Sequence, residues 1–127
     1  MKKLQEFSKQ YQNEMNWEIK TDHYERTKAS LLNNYMLLTT EVAEIAEELR
    51  KAFNMTNTLI NEGMDEEKAF EMAKASVKNE LGNEFADCLA YITKFANYFD
   101  IDLEESFYQK MEEVRNRKNK DVGIVKK

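Results

Sequence analysis

The side chains with most to offer chemically in this 127-residue chain are carboxylates, 24 Asp and Glu against 19 Lys and Arg. Two groups have a spacing that could matter. Glu41, Glu44 and Glu48 recur at intervals of three and four, and so do Glu80, Glu84 and Asp87. With each helical residue turned roughly 100° from the last, each trio shares one helix face. The first trio borders the apolar stripe of Leu38, Val42, Ile45 and Leu49, while Glu47 points to the far side. The second borders Leu81, Phe85, Cys88, Leu89, Ile92, Phe95 and Phe99, with Tyr91 on its acidic side. Water is partly excluded at such a border, so a carboxylate there is costly unless a cation joins it.

Antiparallel packing of the two helices through these stripes would set Glu41 and Glu44 opposite Glu84 and Asp87 across a narrow cleft. A divalent cation relieves the repulsion most simply, and oxygen-only ligands select a hard ion, Mg²⁺ with Mn²⁺ as a substitute. The plainer reading is that Glu at i and i+3 decorates a solvated helix surface. Lys110 presents the opposite charge, about 20° from the centre of a stripe formed by Leu103, Phe107, Met111 and Val114. It either snorkels to water over its own apolar stem or, with Arg117 two turns on, points at a phosphate brought in by the metal.

Other chemistries are excluded by count. A single cysteine, Cys88, allows neither an internal disulfide nor a cysteine zinc site, and a single histidine, His23, removes histidine-rich metal centres and most His-based triads. The net charge of −5 repels nucleic-acid backbones, so no nucleic-acid partner is expected. No run of about 18 uncharged apolar residues is present, and the N-terminus is too polar for a secretory signal. The expectation is a cytoplasmic protein with no membrane role.

The elements that must position these residues are helices. The sequence has no proline and three glycines, and is rich in Glu, Lys, Leu, Ala and Met. Leu4, Phe7, Tyr11 and Met15 predict a first helix over residues 3 to 17, and residues 18–24 a linker containing His23. A second helix is predicted over 25–53, followed by a polar loop, NMTNTLINEG, and a third over 65–99 with Gly82 marking a kink or a close contact. Asp102 to Glu105 matches a capping box opening the fourth. The chain thus reads as one all-α domain over residues 1–117, with a basic mobile tail over 118–127. Stripes this apolar on so short a chain predict a bundle completed by oligomerisation.

The segments LLTTEVAEIAEELRKAF and NELGNEFADCLAYITKFANYFDIDLEESFYQKMEEVRNR resemble the MazG-like nucleotide pyrophosphohydrolases of the all-α NTP pyrophosphatase superfamily, over about residues 35 to 117. The matching features are E-x-x-E at Glu41 and Glu44, E-x-x-D at Glu84 and Asp87, the turn from Phe99 to Ser106, and K-M-E at Lys110 to Glu112. Trp17 corresponds to a tryptophan often found ahead of the first acidic helix. The chain departs from the pattern at Thr40, where the family has an acid, and at Val114, where relatives often have asparagine. Its longer gap between Glu44 and Glu84 predicts an added turn or helix over the substrate entrance.

The resemblance implies a four- to five-helix fold, a homodimer or homotetramer, and hydrolysis of a nucleoside triphosphate to the monophosphate and pyrophosphate. It implies Mg²⁺ on Glu41, Glu44, Glu84 and Asp87. Within that frame Glu44 is the candidate to orient or deprotonate water, Lys110 and Arg117 to meet the departing pyrophosphate, and Tyr91 and Trp17 to stack on the base. The competing reading is a non-catalytic helical interaction or regulatory module whose acidic cleft binds a cation.

Overall fold

A computed structural model describes the backbone of residues 1–125 and the side chains of residues 1–117. Four helices follow in order, α1 (Lys2–Glu14), α2 (Tyr24–Asn61), α3 (Glu66–Tyr98) and α4 (Leu103–Val125), with no strand among the described residues. The class is all-α, as the composition predicts. None of the helices is long and apolar enough to cross a membrane.

Three of the helices stop in the same way. Asn16 (φ 54°), Gly63 (φ 100°) and Asp100 (φ 57°) take the left-handed conformation. The next amide then reaches back five residues: Trp17 N donates to Gln12 O, Met64 N to Leu59 O and Ile101 N to Ala96 O, at 2.8, 3.0 and 2.8 Å. Each such turn satisfies carbonyls that a helix end leaves unpaired, and only glycine adopts it without a steric cost, Asn and Asp being the next most tolerant. The starts of α2, α3 and α4 are capped by side chains, and that of α1 is not. His23 Nδ1 accepts from Arg26 N at 3.5 Å, Asp65 from Lys68 N at 3.2 Å, and Asp102 from Glu105 N at 3.1 Å, which is one half of the predicted box.

The predicted loop after residue 53 is helical instead. Met55, Leu59 and Ile60 carry the apolar period of α2 onward, and Thr56 and Thr58 turn their hydroxyls back to Ala52 O and Asn54 O at 2.7 and 3.0 Å. Polar residues that bond to their own helix do not break it. Between Glu44 and Glu84 the chain thus continues α2 and opens α3, with no further helix between them. α3 runs through Gly82 without interruption, and nothing lies within 4 Å of where a Cβ would sit, so no close contact requires this glycine. Of the basic tail expected over 118–127, residues up to Val125 belong to α4, and 126–127 lie outside the described residues.

The chain divides into two compact units, one of residues 20–92 and one of residues 1–19 with 93–127. The first is the α2–α3 hairpin. Its core is small: Ala52, Ala73 and Val77, with Met55 packed against them and Ser76 Oγ 3.3 Å from Met55 Sδ. Alanines let two helix backbones approach closely, and that approach sets which faces meet. The face α2 buries is centred on Glu41, Glu48 and Ala52, about 60° round from the predicted stripe. Val42, Leu49, Phe85 and Ile92, expected in the core, are exposed as a result.

In the other unit α1 likewise turns an unexpected face inward. Leu4, Phe7, Tyr11 and Met15 are exposed, and Phe7 stacks on Tyr11 with ring centres 6.1 Å apart. The helix is held by polar side chains instead. Ser8 bonds the buried Thr93 hydroxyl at 2.6 Å, Gln12 donates to Ser8 at 2.8 Å, and Asn97 donates to Gln12 at 3.3 Å. Gln5 closes the series, donating to Ile101 O at 2.6 Å and accepting from Leu103 N at 3.0 Å. Every partner in this chain of amides and hydroxyls is satisfied, which is the condition for burying it without loss.

Candidate metal centre

Within the hairpin, α2 and α3 run antiparallel. Met55 meets Ser76 near the turn, Glu48 meets Glu80 and Glu84 one step further out, and Glu41 meets Glu84 and Asp87 beyond that. The inward rotation of both helices carries Glu41, Glu48 and Glu84 from the border of the contact into it, while Glu44, Glu80 and Asp87 stay exposed. Carboxylate oxygens of Glu41, Glu84 and Asp87 lie within 4.8 Å of one another, and so do those of Glu48, Glu80 and Glu84. Glu84 belongs to both groups. Glu44 adds its negative charge to the fields at Glu41 and Glu84.

Mutual repulsion and partial burial show in the acidities. Burial, then the charge of Asp87, pushes the Glu41 carboxyl above the usual carboxylate range. Burial, then Glu44, Asp87 and Glu41, does the same at Glu84. Both effects disfavour the ionised form, and each is what a bound divalent cation would reverse. The donor set is all oxygen, on two stiff helices and partly shielded from water, which suits Mg²⁺ or Mn²⁺ and does not suit a thiophilic metal.

Glu48 is the most buried acid of the six, 5% exposed, and pairs with Lys51 Nζ at 3.0 Å. The sequence placed Glu48 and Glu80 on the right faces but gave neither a ligand role. The usable signal was spacing: Glu48 lies seven residues after Glu41, and Glu80 four before Glu84. Tyr91 is half-buried, and its hydroxyl is pushed upward by burial and then by Glu41 and Asp87, which places it beside the acids as predicted. Cys88 is buried, and burial followed by the same acids raises its thiol, so it stays protonated and unreactive.

Trp17, Lys110 and Arg117 belong to the unit formed by residues 1–19 and 93–127. Lys94 Nζ sits 3.7 Å over the Trp17 ring. Lys110 is exposed and bonds Glu113 at 2.9 Å, and Arg117 approaches the same carboxylate at 3.8 Å. The structure thus gathers Glu41, Glu84, Asp87 and Tyr91 with Glu44 nearby in one unit, and Lys110 with Arg117 around Glu113 in the other. Comparison of the chain with protein-family models, with curated proteins and with solved structures finds no match.

Proposed function

We propose that this chain is a Mg²⁺-dependent pyrophosphohydrolase that converts a nucleoside triphosphate to the monophosphate and pyrophosphate, working in the cytoplasm as a homodimer or homotetramer. The observation that supports it is the meeting of Glu41, Glu84 and Asp87 oxygens within 4.8 Å on facing helices. The likeness of Glu41-x-x-Glu44 and Glu84-x-x-Asp87 to the MazG-like pattern supplies the substrate class. Mg²⁺, or Mn²⁺ in its place, would be held by Glu41, Glu44, Glu84 and Asp87 and would neutralise the polyphosphate charge that repels a nucleophile.

The chain's own groups do the rest. Glu44, exposed at the edge of the cluster, takes a proton from the attacking water. The water oxygen bonds to the α-phosphorus as the bond to the bridging oxygen breaks, and pyrophosphate leaves with that oxygen. Tyr91 offers a ring beside the acids for the base.

A second reading, a non-catalytic helical module that binds a cation, draws on the engagement of both Lys110 and Arg117 by Glu113. A panel of ribo- and deoxyribonucleoside triphosphates with Mg²⁺, assayed for pyrophosphate, separates the two. Equal amounts of monophosphate and pyrophosphate from at least one nucleotide support the enzyme. No pyrophosphate from any nucleotide leaves the binding module.

A further inference from the structure

At roughly 100° per residue, Lys2, Gln5, Glu6 and Lys9 share one face of α1. That face lines a cleft of about 250 Å³ whose other side is the last turn of α3 and the turn into α4, all within the unit of residues 1–19 and 93–127. Most polar groups in the cleft are engaged by the fold. Gln5 donates to Asn97 Oδ1 at 3.1 Å and to Ile101 O at 2.6 Å, and Asn97 donates to Gln12 at 3.3 Å. Lys2 pairs with Asp102 at 3.3 Å. Three charged groups are left over. Glu6 and Lys9 on α1 and Asp100 on the opposite side make no ion pair and no side-chain hydrogen bond among the described residues, with each other or elsewhere. Asp100 also stands at φ 57°, where glycine would sit without strain, so the turn does not account for its carboxylate.

We propose that this cleft binds a free amino acid, with its ammonium on Asp100 and Glu6 and its carboxylate on Lys9. Opposite charges that line one cleft without pairing are matched by a molecule that carries both signs. The last turn of α3 adds the partial negative charge of a helix C-terminus beside Asp100, which favours the ammonium there. A simple anion would meet Lys9 together with two carboxylates, and a simple amine would leave Lys9 unmatched. Size points the same way. Pockets for drug-sized ligands measure about 300–1,000 Å³, so this smaller cleft suits an amino acid and is too small for a nucleoside triphosphate. Ala96 and Ile101 supply apolar lining for a side chain. The bonds of Gln5 and Asn97 hold both sides of the cleft in place before any ligand arrives, which lowers the cost of binding. The site does not depend on the pyrophosphohydrolase reading, and either can fail without the other.

Titration of the isotope-labelled full chain with each of the common free amino acids, followed by amide NMR, tests it. At least one should shift the amides of Glu6, Lys9 and Asp100 saturably, with a Kd of about 10 mM or tighter. Lys9→Met and Asp100→Asn should each weaken that binding about tenfold, the loss expected for one hydrogen bond between charged groups. No saturable shift with any amino acid overturns the proposal, and so do saturable shifts confined to other parts of the chain. An affinity unchanged in either variant overturns it too. Should a variant fail to fold, which its own amide spectrum reveals, the natural chain decides. The amine that lacks the carboxylate and the acid that lacks the ammonium should each bind about tenfold more weakly than the parent amino acid, and equal binding of either refutes the assignment.

Discussion

Glu41 on α2 and Asp87 on α3 hold carboxylate oxygens within 4.8 Å of each other across an antiparallel pair of helices. Glu84 joins them, and burial with mutual repulsion lifts Glu41 and Glu84 above the carboxylate range. A divalent cation bound there would offset that repulsion, and each consequence of the proposed site can be measured.

Asp87→Asn removes one charge and one ligand oxygen without changing size. Pyrophosphate release should fall by orders of magnitude, while the far-ultraviolet circular dichroism stays helical. Undiminished turnover in this variant contradicts the role given to Asp87.

The sign of the pH dependence follows from the raised acidities. A group whose folded pKa is raised binds protons more tightly when folded, so its contribution favours folding at low pH and is lost as pH rises through the folded value. Glu41 and Glu84 should make the metal-free protein less stable at pH 7 than near the carboxylate range. In urea, Glu41→Gln should flatten that decline. Asp102, Glu104 and Glu113 are lowered by their hydrogen-bond partners and act in the other direction, losing their contribution as pH falls. The comparison of variant with natural chain isolates the cluster.

Mg²⁺ should restore what charge repulsion removes. A ligand at a hundredfold excess over its Kd stabilises the fold by about 2.7 kcal/mol. The melting temperature should rise with MgCl2 and not with NaCl of equal ionic strength, and the rise should vanish in Glu41→Gln/Asp87→Asn.

Two positions test the scaffold apart from the site. Thr93 is 1% exposed and bonds Ser8 at 2.6 Å, so Thr93→Val should cost about 0.5–1.5 kcal/mol, the net worth of one hydrogen bond, because Ser8 still accepts from Gln12. Gly82 is exposed with open space where a Cβ would go, so Gly82→Ala should stabilise by about 1 kcal/mol. Chemical denaturation reads both.

Helix content and the start of α4 at Asp102 were legible in the sequence, because composition and capping act locally. The faces were harder. Periodicity placed Val42 and Leu49 on one stripe and Glu41, Glu44 and Glu48 beside it, but the depth of each depends on where two backbones come closest. Ala52 and Ala73 decide that from far along the chain. The same limit hid the polar attachment of α1, since Gln5, Ser8 and Gln12 gain value only from Thr93, Asn97 and Ile101. The NMTNTLINEG segment reads as a loop by composition, which does not reveal that its threonines bond back into α2.

Binding of Mn²⁺, followed by the loss of its free-ion electron paramagnetic resonance signal, addresses the central claim most directly. The natural chain should take up at least one ion per subunit, and Asp87→Asn should release most of it. A Mn²⁺ signal that stays at full free-ion intensity with the natural chain in excess would contradict the account.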